Sequence, residues 1–309
     1  IQELFSQIMS ISRKKQYGIL AKEGQRQDED GFEAVETLPA SEKGIVYQGV
    51  EGAYSQMAVQ SFFGSQTKSF HVKTWRDAME ALKNEEADYA VLPIENSTAG
   101  LIAENHDLLV EYEVCILGEQ IVEINHALLG LVGTSLSDIR KVYSHPQAIL
   151  QCSGFLRAHP EIKAISLENT ALAAKKVKQD GDLSRAAIAG EINAELYGLS
   201  VLQKAIQDVK ENKTRFIIAA KKRLFKQDAT KISICFELPH ESGSLYHGLS
   251  HIILNGLNMT RIVSRPIPDT PWQYRFFVDF LGNLREEAVK NALFGLREET
   301  INLKILGNY

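Results

Sequence analysis

No uninterrupted apolar run in this sequence approaches the ~18 residues that a membrane-spanning helix requires. Positive charge is not in excess. The 34 Lys and Arg stand against 39 Asp and Glu, a formal net charge of -5, so nothing draws the chain globally to nucleic acid or to an anionic membrane. Any anionic ligand has to be held by a local pocket. Cysteine is scarce: Cys115, Cys152 and Cys235 stand apart with no CxxC spacing, which excludes a disulfide framework and suits buried thiols in a reducing cytoplasm. The N-terminal stretch "IQELFSQIMSISRKKQ" is amphipathic and charged throughout, unlike a secretory signal. There is no GxxxxGK[ST], and "GVEG" does not extend to GxGxxG, so phosphate nucleotides are disfavoured. Metal is disfavoured too. His247 and His251 share a helix face, but no HExxH glutamate or nearby cysteine accompanies them, and they read as surface or interface histidines. A Ser–His–acid triad around Ser144 and His145 lacks a GxSxG elbow, and neighbours in a strand point to opposite faces. No tandem repeat or low-complexity tract is present.

What is present is an ordinary globular composition, 44% hydrophobic and 24% charged, over 309 residues, a length that suggests about two domains. Residues 1–20 predict one helix: Ile1, Leu4, Phe5, Ile8, Met9, Ile11 and Tyr17 keep an approximate helical period. It is too short for a domain and starts without a cap, as the tail of something larger would. Residues 21–43 are polar, acidic and aperiodic, a linker. From Ile45 to about Ala220, short apolar runs such as "IVYQG", "YAVLPI", "KVYSH" and "EIKAISL" alternate with helical segments, among them "PQAILQCSGFLRAHP" read as one helix. That alternation predicts α/β architecture with largely parallel sheets. The basic run "AKKRLFKQDATK" breaks the pattern, and the order βαββαβ after it is that of a ferredoxin-like unit.

In open α/β sheets, ligands bind beyond the carboxyl ends of the strands. Four strand-to-helix junctions are therefore informative. "VEGAYSQ" has Gly49 and Gly52 for a tight turn and Ser55 to cap a helix. "ENSTAG" crowds Glu95, Asn96, Ser97 and Thr98 into one turn. "SHPQAILQC" offers Ser144 as a cap, Pro146 early in a helix, and Gln147 and Gln151 one turn apart. "ENTALAA" has Asn169 or Thr170 as cap. Each junction alone is explained by N-capping. Several helix N-termini aimed at one cleft would hold carboxylates or phosphates. "NKTRF" adds a hydroxyl, Thr214, beside Lys213 as a point charge and Arg215 as a bidentate grip. Physics alone stops at an α/β protein with an anion-binding cleft and a small appended domain.

The stretches "GVEGAYSQ", "YAVLPIENSTAG", "VYSHPQAILQC", "AAIAGEINAELYGLSVL" and "NKTRF" fall in one order across residues 45–220 and resemble the prephenate dehydratase family. The resemblance implies a two-lobed catalytic domain of the periplasmic-binding-protein type over 44–222, with the second lobe at about 120–200 and the active site between lobes. Residues 230–309 resemble the ACT domain that binds phenylalanine as feedback inhibitor. "SGSLYHGLS" stands at its Gly-Ala-Leu turn, with Ser244 for the usual alanine, and "NMTRIVSRP" at its Glu-Ser-Arg-Pro, with Val263 for the usual glutamate. The implied effector residues are Gly243, Ser244, Leu245, Asn258, Ser264 and Arg265, at a place where two ACT domains meet, so a homodimer or homotetramer is implied. The first helix resembles the last helix of an AroQ-type chorismate mutase, with Ser12 and Gln16 at the positions of two mutase site residues. A bifunctional parent is implied, with no mutase activity expected from this chain alone.

The implied reaction removes CO2 and water from prephenate to give phenylpyruvate, without a cofactor or metal. The resemblance sets Thr214 nearest the leaving hydroxyl. A threonine hydroxyl is a weak acid, far from an ideal catalytic pKa, so it acts only if proton transfer is late and concerted or relayed from a neighbour. As a donor to developing charge it is worth ~3–4 kcal/mol. Asn96, Ser144 and Gln151 are expected to orient or polarise the substrate. Arg215 is the expected carboxylate partner, Glu95 an anchor behind the site or an acid if buried, and Ser55, Ser97, Thr98 and Thr170 further substrate contacts. His145 is expected to be structural. Arogenate as substrate, or a solute-sensing protein without catalysis, are the alternatives.

Overall fold

The computed structural model describes residues 31–309 and, ahead of them, Phe5, Ile8, Met9 and Ser12, which are helical and exposed. The remainder of the expected 1–20 helix, Gln16 included, and residues 21–30 of the expected linker lie outside the described residues. Within that linker Glu33–Val35 forms a strand, β1, which corrects the reading of 21–43 as featureless. Three residues are too few to display a period in sequence. No helix among the described residues is long and apolar enough to cross a membrane.

The chain divides into two units. The larger comprises Ser41–Leu108 and Glu119–Ala219; the smaller comprises Leu109–Gly118, Ala220–Tyr309 and the described residues before Ser41.

The larger unit begins with β2 (Ile45–Gln48), α1 (Tyr54–Phe63), β3 (Ser69–Val72), α2 (Trp75–Lys83), β4 (Tyr89–Asn96), β5 (Gly100–Leu101) and α3 (Ala103–Glu111), whose last turn passes into the smaller unit. Strand β2 pairs in parallel with both β3 and β4. Helix α2 starts where its sequence says it should: Thr74 Oγ1 accepts from the Asp77 amide at 3.1 Å and the Asp77 carboxylate accepts from the Thr74 amide at 2.9 Å, a reciprocal cap. The chain returns through β6 (Cys115–Glu123) and enters a second sheet. Its elements are β7 (Ala127–Gly130), β8 (Lys141–Ser144), α4 (Pro146–Gln151), α5 (Ser153–Ala158), β9 (Lys163–Ser166), α6 (Thr170–Asp180), β10 (Arg185–Ala189), α7 (Ile192–Tyr197) and β11 (Ser200–Gln203). The strand order is β11-β7-β10-β8-β9. Strand β12 (Lys213–Ala220) then goes back to the first sheet and pairs antiparallel with β4. Two sheets, each with its own helices and joined by two crossing segments, make the two-lobed plan that the resemblance implies. The sheets are mixed rather than wholly parallel: β8 and β9 run parallel to β10, but β7 and the returning β12 are antiparallel to their neighbours.

The central strands of the second sheet, β7, β8 and β10, are buried on both faces, as strands covered by helices are. Leu128 and Ile188 face one layer with Val142 and Phe155; Leu129 and Ala187 face the other with Ala173 and Val177. Each fully buried leucine there contributes about 2–3 kcal/mol of burial free energy. The segment read as one helix is two, α4 and α5, broken at Cys152. The break exposes a second helix start to Asp208, whose carboxylate accepts from Ser153 Oγ at 2.7 Å and the Gly154 amide at 2.8 Å.

In the smaller unit β13 (Leu224–Lys226) pairs in parallel with β1. Then come β14 (Lys231–Glu237), α8 (Ser244–Leu254), β15 (Met259–Pro266), β16 (Tyr274–Leu281), α9 (Glu287–Glu299) and β17 (Ile301–Asn308). The order β15-β16-β14-β17, antiparallel throughout, is the expected ferredoxin-like sheet. His251 packs where α8 meets α9: a Cβ on Gly295 would lie 2.1 Å from its Nδ1, so the two helices touch there without room for one. Among the described residues no cluster of His, Cys, Asp or Glu could hold a metal.

Candidate active site

The carboxyl ends of β2, β4, β8 and β9 and strand β12 meet at a cleft of about 360 Å³ between the two lobes of the larger unit. The first lobe lines it with Ser55, Trp75, Asn96, Ile102, Thr214 and Phe216, and the second with His145, Gln147, Gln151, Asn169 and Thr170. Ile124 and His126, on one crossing segment, complete it. None of the lining residues is Asp, Glu, Lys or Arg. An anion here is met by hydroxyl and amide donors and by the N-terminal ends of α1 and α6, not by a fixed countercharge.

Thr214 is 8% exposed and opposes Asn96 across the β12–β4 ladder. Both ends of the Asn96 amide are held. Its Oδ1 accepts from the Thr98 amide (3.0 Å), the Ala99 amide (2.8 Å) and Thr98 Oγ1 (2.7 Å). Its Nδ2 donates to Asn212 Oδ1 (2.8 Å) and Thr214 Oγ1 (2.9 Å). Thr214 Oγ1 therefore accepts a hydrogen bond from Asn96, which leaves its own hydroxyl proton available to a group in the cleft it lines. Gln151, from α4 in the other lobe, donates from Nε2 to Thr98 Oγ1 at 2.7 Å. Its Oε1 lies 3.0 Å from His126 Nε2, and His126 Nδ1 lies 3.2 Å from Tyr54 Oη. A continuous chain of polar contacts thus runs Tyr54–His126–Gln151–Thr98–Asn96–Thr214. Burial holds the His126 imidazole below its usual pKa, against the bond to Gln151, and burial lowers His145 likewise. Burial, with the nearby Cys152, raises the Tyr54 phenol.

The lobes are clasped at a second place. Asn193 Nδ2 donates to the Gly52 carbonyl at 3.1 Å and Tyr197 Oη donates to the Glu51 carbonyl at 2.8 Å. Gly52 has φ +86°, and a Cβ there would lie 2.1 Å from Asn193 Oδ1, so both the turn and the clasp require glycine.

Several expected roles need correction. Arg215 and Glu95 do not line the cleft. They oppose each other one position along from the Thr214–Asn96 pair, and alternation along a strand turns them to the other face. There Arg215 Nε lies 2.8 Å from Glu119 Oε2 and Nη1 3.9 Å from Glu95 Oε2, so the guanidinium serves protein carboxylates. Lys213 faces Glu123 at 4.0 Å. Ser144 is fully buried and donates to the Ile188 carbonyl at 2.6 Å, satisfying a group of β10 that the β8 ladder leaves over. The α4 cap is His145, whose Nδ1 accepts from the Gln147 amide at 3.2 Å. Ser55 lines the cleft but caps nothing, since its hydroxyl donates to the Gln48 carbonyl at 2.6 Å. Ser97 ties the turn to β12, accepting from the Lys213 amide at 2.9 Å. Asn169 is the α6 cap, accepting from the Leu172 amide at 2.7 Å, with Thr170 beside it in the cleft. Sequence reasoning did not single out Tyr54, His126 or Asn212. His126 lies between two strands, its amide bonded to Gln207 Oε1 of the other crossing segment at 3.0 Å.

In the smaller unit, Ser244 and Leu245 line a cavity of about 360 Å³ with Leu238, His240, Trp272 and Tyr274. Gly243, at φ +85°, ends the loop before α8. Asn258, Ser264 and Arg265 are not among the residues lining that cavity; the latter two lie on the edge strand β15.

A family profile described as prephenate dehydratase matches residues 45–224. A bifunctional chorismate mutase/prephenate dehydratase of Aquifex aeolicus is 36% identical over 266 residues, 86% of this chain and 73% of that protein. A prephenate dehydratase of Arthrobacter aurescens, solved in complex with L-Phe, is 29% identical with a TM-score of 0.79, covering 86% of this chain and 89% of its own. GqqA, described as a novel type of quorum quenching acylase, has the same TM-score of 0.79 at 30% identity, covering 86% of this chain and 97% of its own.

Proposed function

The chain belongs to the prephenate dehydratase family, and on that premise we propose that it converts prephenate to phenylpyruvate, in phenylalanine biosynthesis, under feedback by phenylalanine. The observation that carries the reading is the Thr214–Asn96 pair. Asn96 donates to Thr214 Oγ1 at 2.9 Å, which leaves the threonine proton available to what the cleft holds. Loss of CO2 pushes an electron pair through the ring, and the ring hydroxyl departs as water once it receives a proton. A cleft without charged side chains suits both steps. The carboxylate that leaves is set against Ile102, Ile124 and Phe216 rather than stabilised by a cation, while its charge disperses as the bond breaks. Thr214 donates to the departing oxygen; Asn96, its amide wholly engaged by the protein, orients Thr214, and Gln151 orients the substrate; the helix starts at Ser55 and Thr170 meet the side-chain carboxylate. Arogenate, which differs in its side chain, fits the same chemistry. The acylase activity of GqqA finds no support in the Ser144–His145 pair, because the Ser144 hydroxyl is buried and donates to the Ile188 carbonyl and His145 Nδ1 caps its own helix.

We assign residues 44–222 to the dehydratase domain, 230–309 to a regulatory ACT domain and 1–20 to the last helix of a mutase domain in a bifunctional parent, with Ser12 and Gln16 as its vestige. Phenylalanine is taken up at Gly243–Leu245, with Asn258, Ser264 and Arg265 contributed across a pair of ACT domains in a homodimer or homotetramer. Three unpaired buried thiols support a cytoplasmic setting. Timed product formation from prephenate and from arogenate, with and without phenylalanine, tests the reading. Turnover of neither refutes it, and calorimetry showing no phenylalanine binding refutes the regulatory part. Light scattering reads the oligomer, and a monomer overturns ACT pairing.

A further inference from the structure

The direction of every hydrogen bond around Gln151 follows from a count of protons. Thr98 Oγ1 lies 2.7 Å from Asn96 Oδ1 and 2.7 Å from the Gln151 amide, and it has one proton to give. Asn96 Oδ1 can only accept, and its identity as oxygen is fixed by the backbone amides of Thr98 and Ala99 that donate to it. The Thr98 proton therefore goes to Asn96, and Gln151 must turn its NH2 to Thr98. Turned the other way, Gln151 would set a second oxygen 2.7 Å from Thr98 with no proton between them. The Gln151 carbonyl then faces His126 Nε2 at 3.0 Å, and a carbonyl cannot donate, so Nε2 carries a proton. On the far side of the ring Tyr54 Oη shares its proton between the Asn125 carbonyl at 2.8 Å and His126 Nδ1 at 3.2 Å.

We propose that His126 is a positioning residue for the dehydratase reaction: by donating from Nε2 it occupies the acceptor end of Gln151 and makes that side chain a donor only toward the cleft. One N–H of Gln151 goes to Thr98 and the other faces the substrate. For a substrate that brings two carboxylates and a hydroxyl into a site without cations, this polarity matters. A reversed amide would present an oxygen to an anion. His126 is 2% exposed and its ring is held by both lobes, through Tyr54 of the first and Gln151 of the second.

This inference rests on the dehydratase reading, and two measurements on the full chain keep the two apart. In the first, long-range 15N–1H correlation of the histidine side chains, assigned with His126→Gln, reads the tautomer at a pH where the ring is neutral. A proton on Nε2 is expected; a bare Nε2 with the proton on Nδ1 overturns the proposal whatever the enzyme's substrate. In the second, kcat/KM on the better of prephenate and arogenate is compared between wild type, His126→Leu and His126→Gln. Leucine removes the donor and lowers kcat/KM by about 10- to 100-fold, the span expected for a hydrogen bond to a charged group. Glutamine restores an N–H at similar reach and recovers the rate to within about 5-fold. A folded His126→Leu protein with unchanged kcat/KM refutes the proposal, and so does a His126→Gln protein as impaired as the leucine variant. If the leucine variant does not fold, the tautomer and the glutamine variant still decide. A wild type that turns over neither compound fails the dehydratase reading and leaves the tautomer result standing.

Discussion

Replacing Thr214 by valine removes one hydroxyl and keeps the β-branched shape that its strand position favours. The cost to the fold is small and can be worked through. Asn96 Nδ2 loses Thr214 Oγ1 but keeps Asn212 Oδ1 at 2.8 Å and the Lys213 carbonyl at 3.2 Å, so no buried donor is orphaned. The loss is about 1 kcal/mol or less, a few degrees of Tm. The cost to catalysis is larger, because the hydroxyl is directed at charge that develops on the leaving oxygen. Removal of one such donor is worth ~3–4 kcal/mol, or a 10²- to 10³-fold fall in kcat. KM stays nearly constant, since the interaction strengthens only as the bond breaks. Thr214→Ser keeps the hydroxyl and stays within about 10-fold of wild type. Steady-state phenylpyruvate formation, with thermal melts as the folding control, provides the test. A folded Thr214→Val enzyme within about 3-fold of wild-type kcat would take the threonine out of the chemistry.

Arg215→Met should lower Tm, since it leaves Glu119 without its 2.8 Å partner, while changing KM by less than about 3-fold; a tenfold rise in KM at unchanged Tm would put the guanidinium back in the site. Gly52→Ala should cost at least about 1–2 kcal/mol for φ alone and raise KM by loosening the Asn193 clasp, measured by melts and kinetics; a neutral variant would mean the lobes are held elsewhere. Asp88, whose carboxylate is partly buried, is nonetheless held below the usual pKa by the Lys43 and Glu42 amides and the Ser41 hydroxyl. A depressed carboxylate stabilises the fold above its unfolded pKa and loses that effect as pH falls through the folded one, so Asp88→Asn should melt below wild type at neutral pH and converge with it in acid. A Tm gap that persists in acid would show that the carboxylate's charge is not what matters.

Much of this was legible in the sequence, and the failures have identifiable causes. Strands such as Ile45–Gln48 and the βαββαβ order after Ala220 were readable because burial imposes period two or a continuous apolar run. Thr214, Asn96, Gln151 and Thr170 line the cleft. The place of Arg215 follows from a rule that sequence already supplies: a neighbour of Thr214 in a strand faces the other way. The role of Ser144 is not local. Its partner, the Ile188 carbonyl, lies 44 residues away, and no local pattern announces it. His126 was out of reach on the same ground, since its amide and carbonyl are held by the returning segment around Gln207, 81 residues on. Contacts that depend on how two distant stretches meet are not written in either one.

The return of β12 to the first sheet also dictates an order of assembly. Residues 127–203 form a sheet from consecutive chain and can close early, whereas the partner of Asn96 lies 118 residues later. Loops of that length close slowly, so the inserted lobe should acquire amide protection before Tyr89–Asn96 does, which pulsed hydrogen exchange during refolding can time. Because Thr214 rides on the closing strand, a nascent or partly unfolded chain has no reaction centre. The dehydratase becomes chemically competent in the same event that completes its fold.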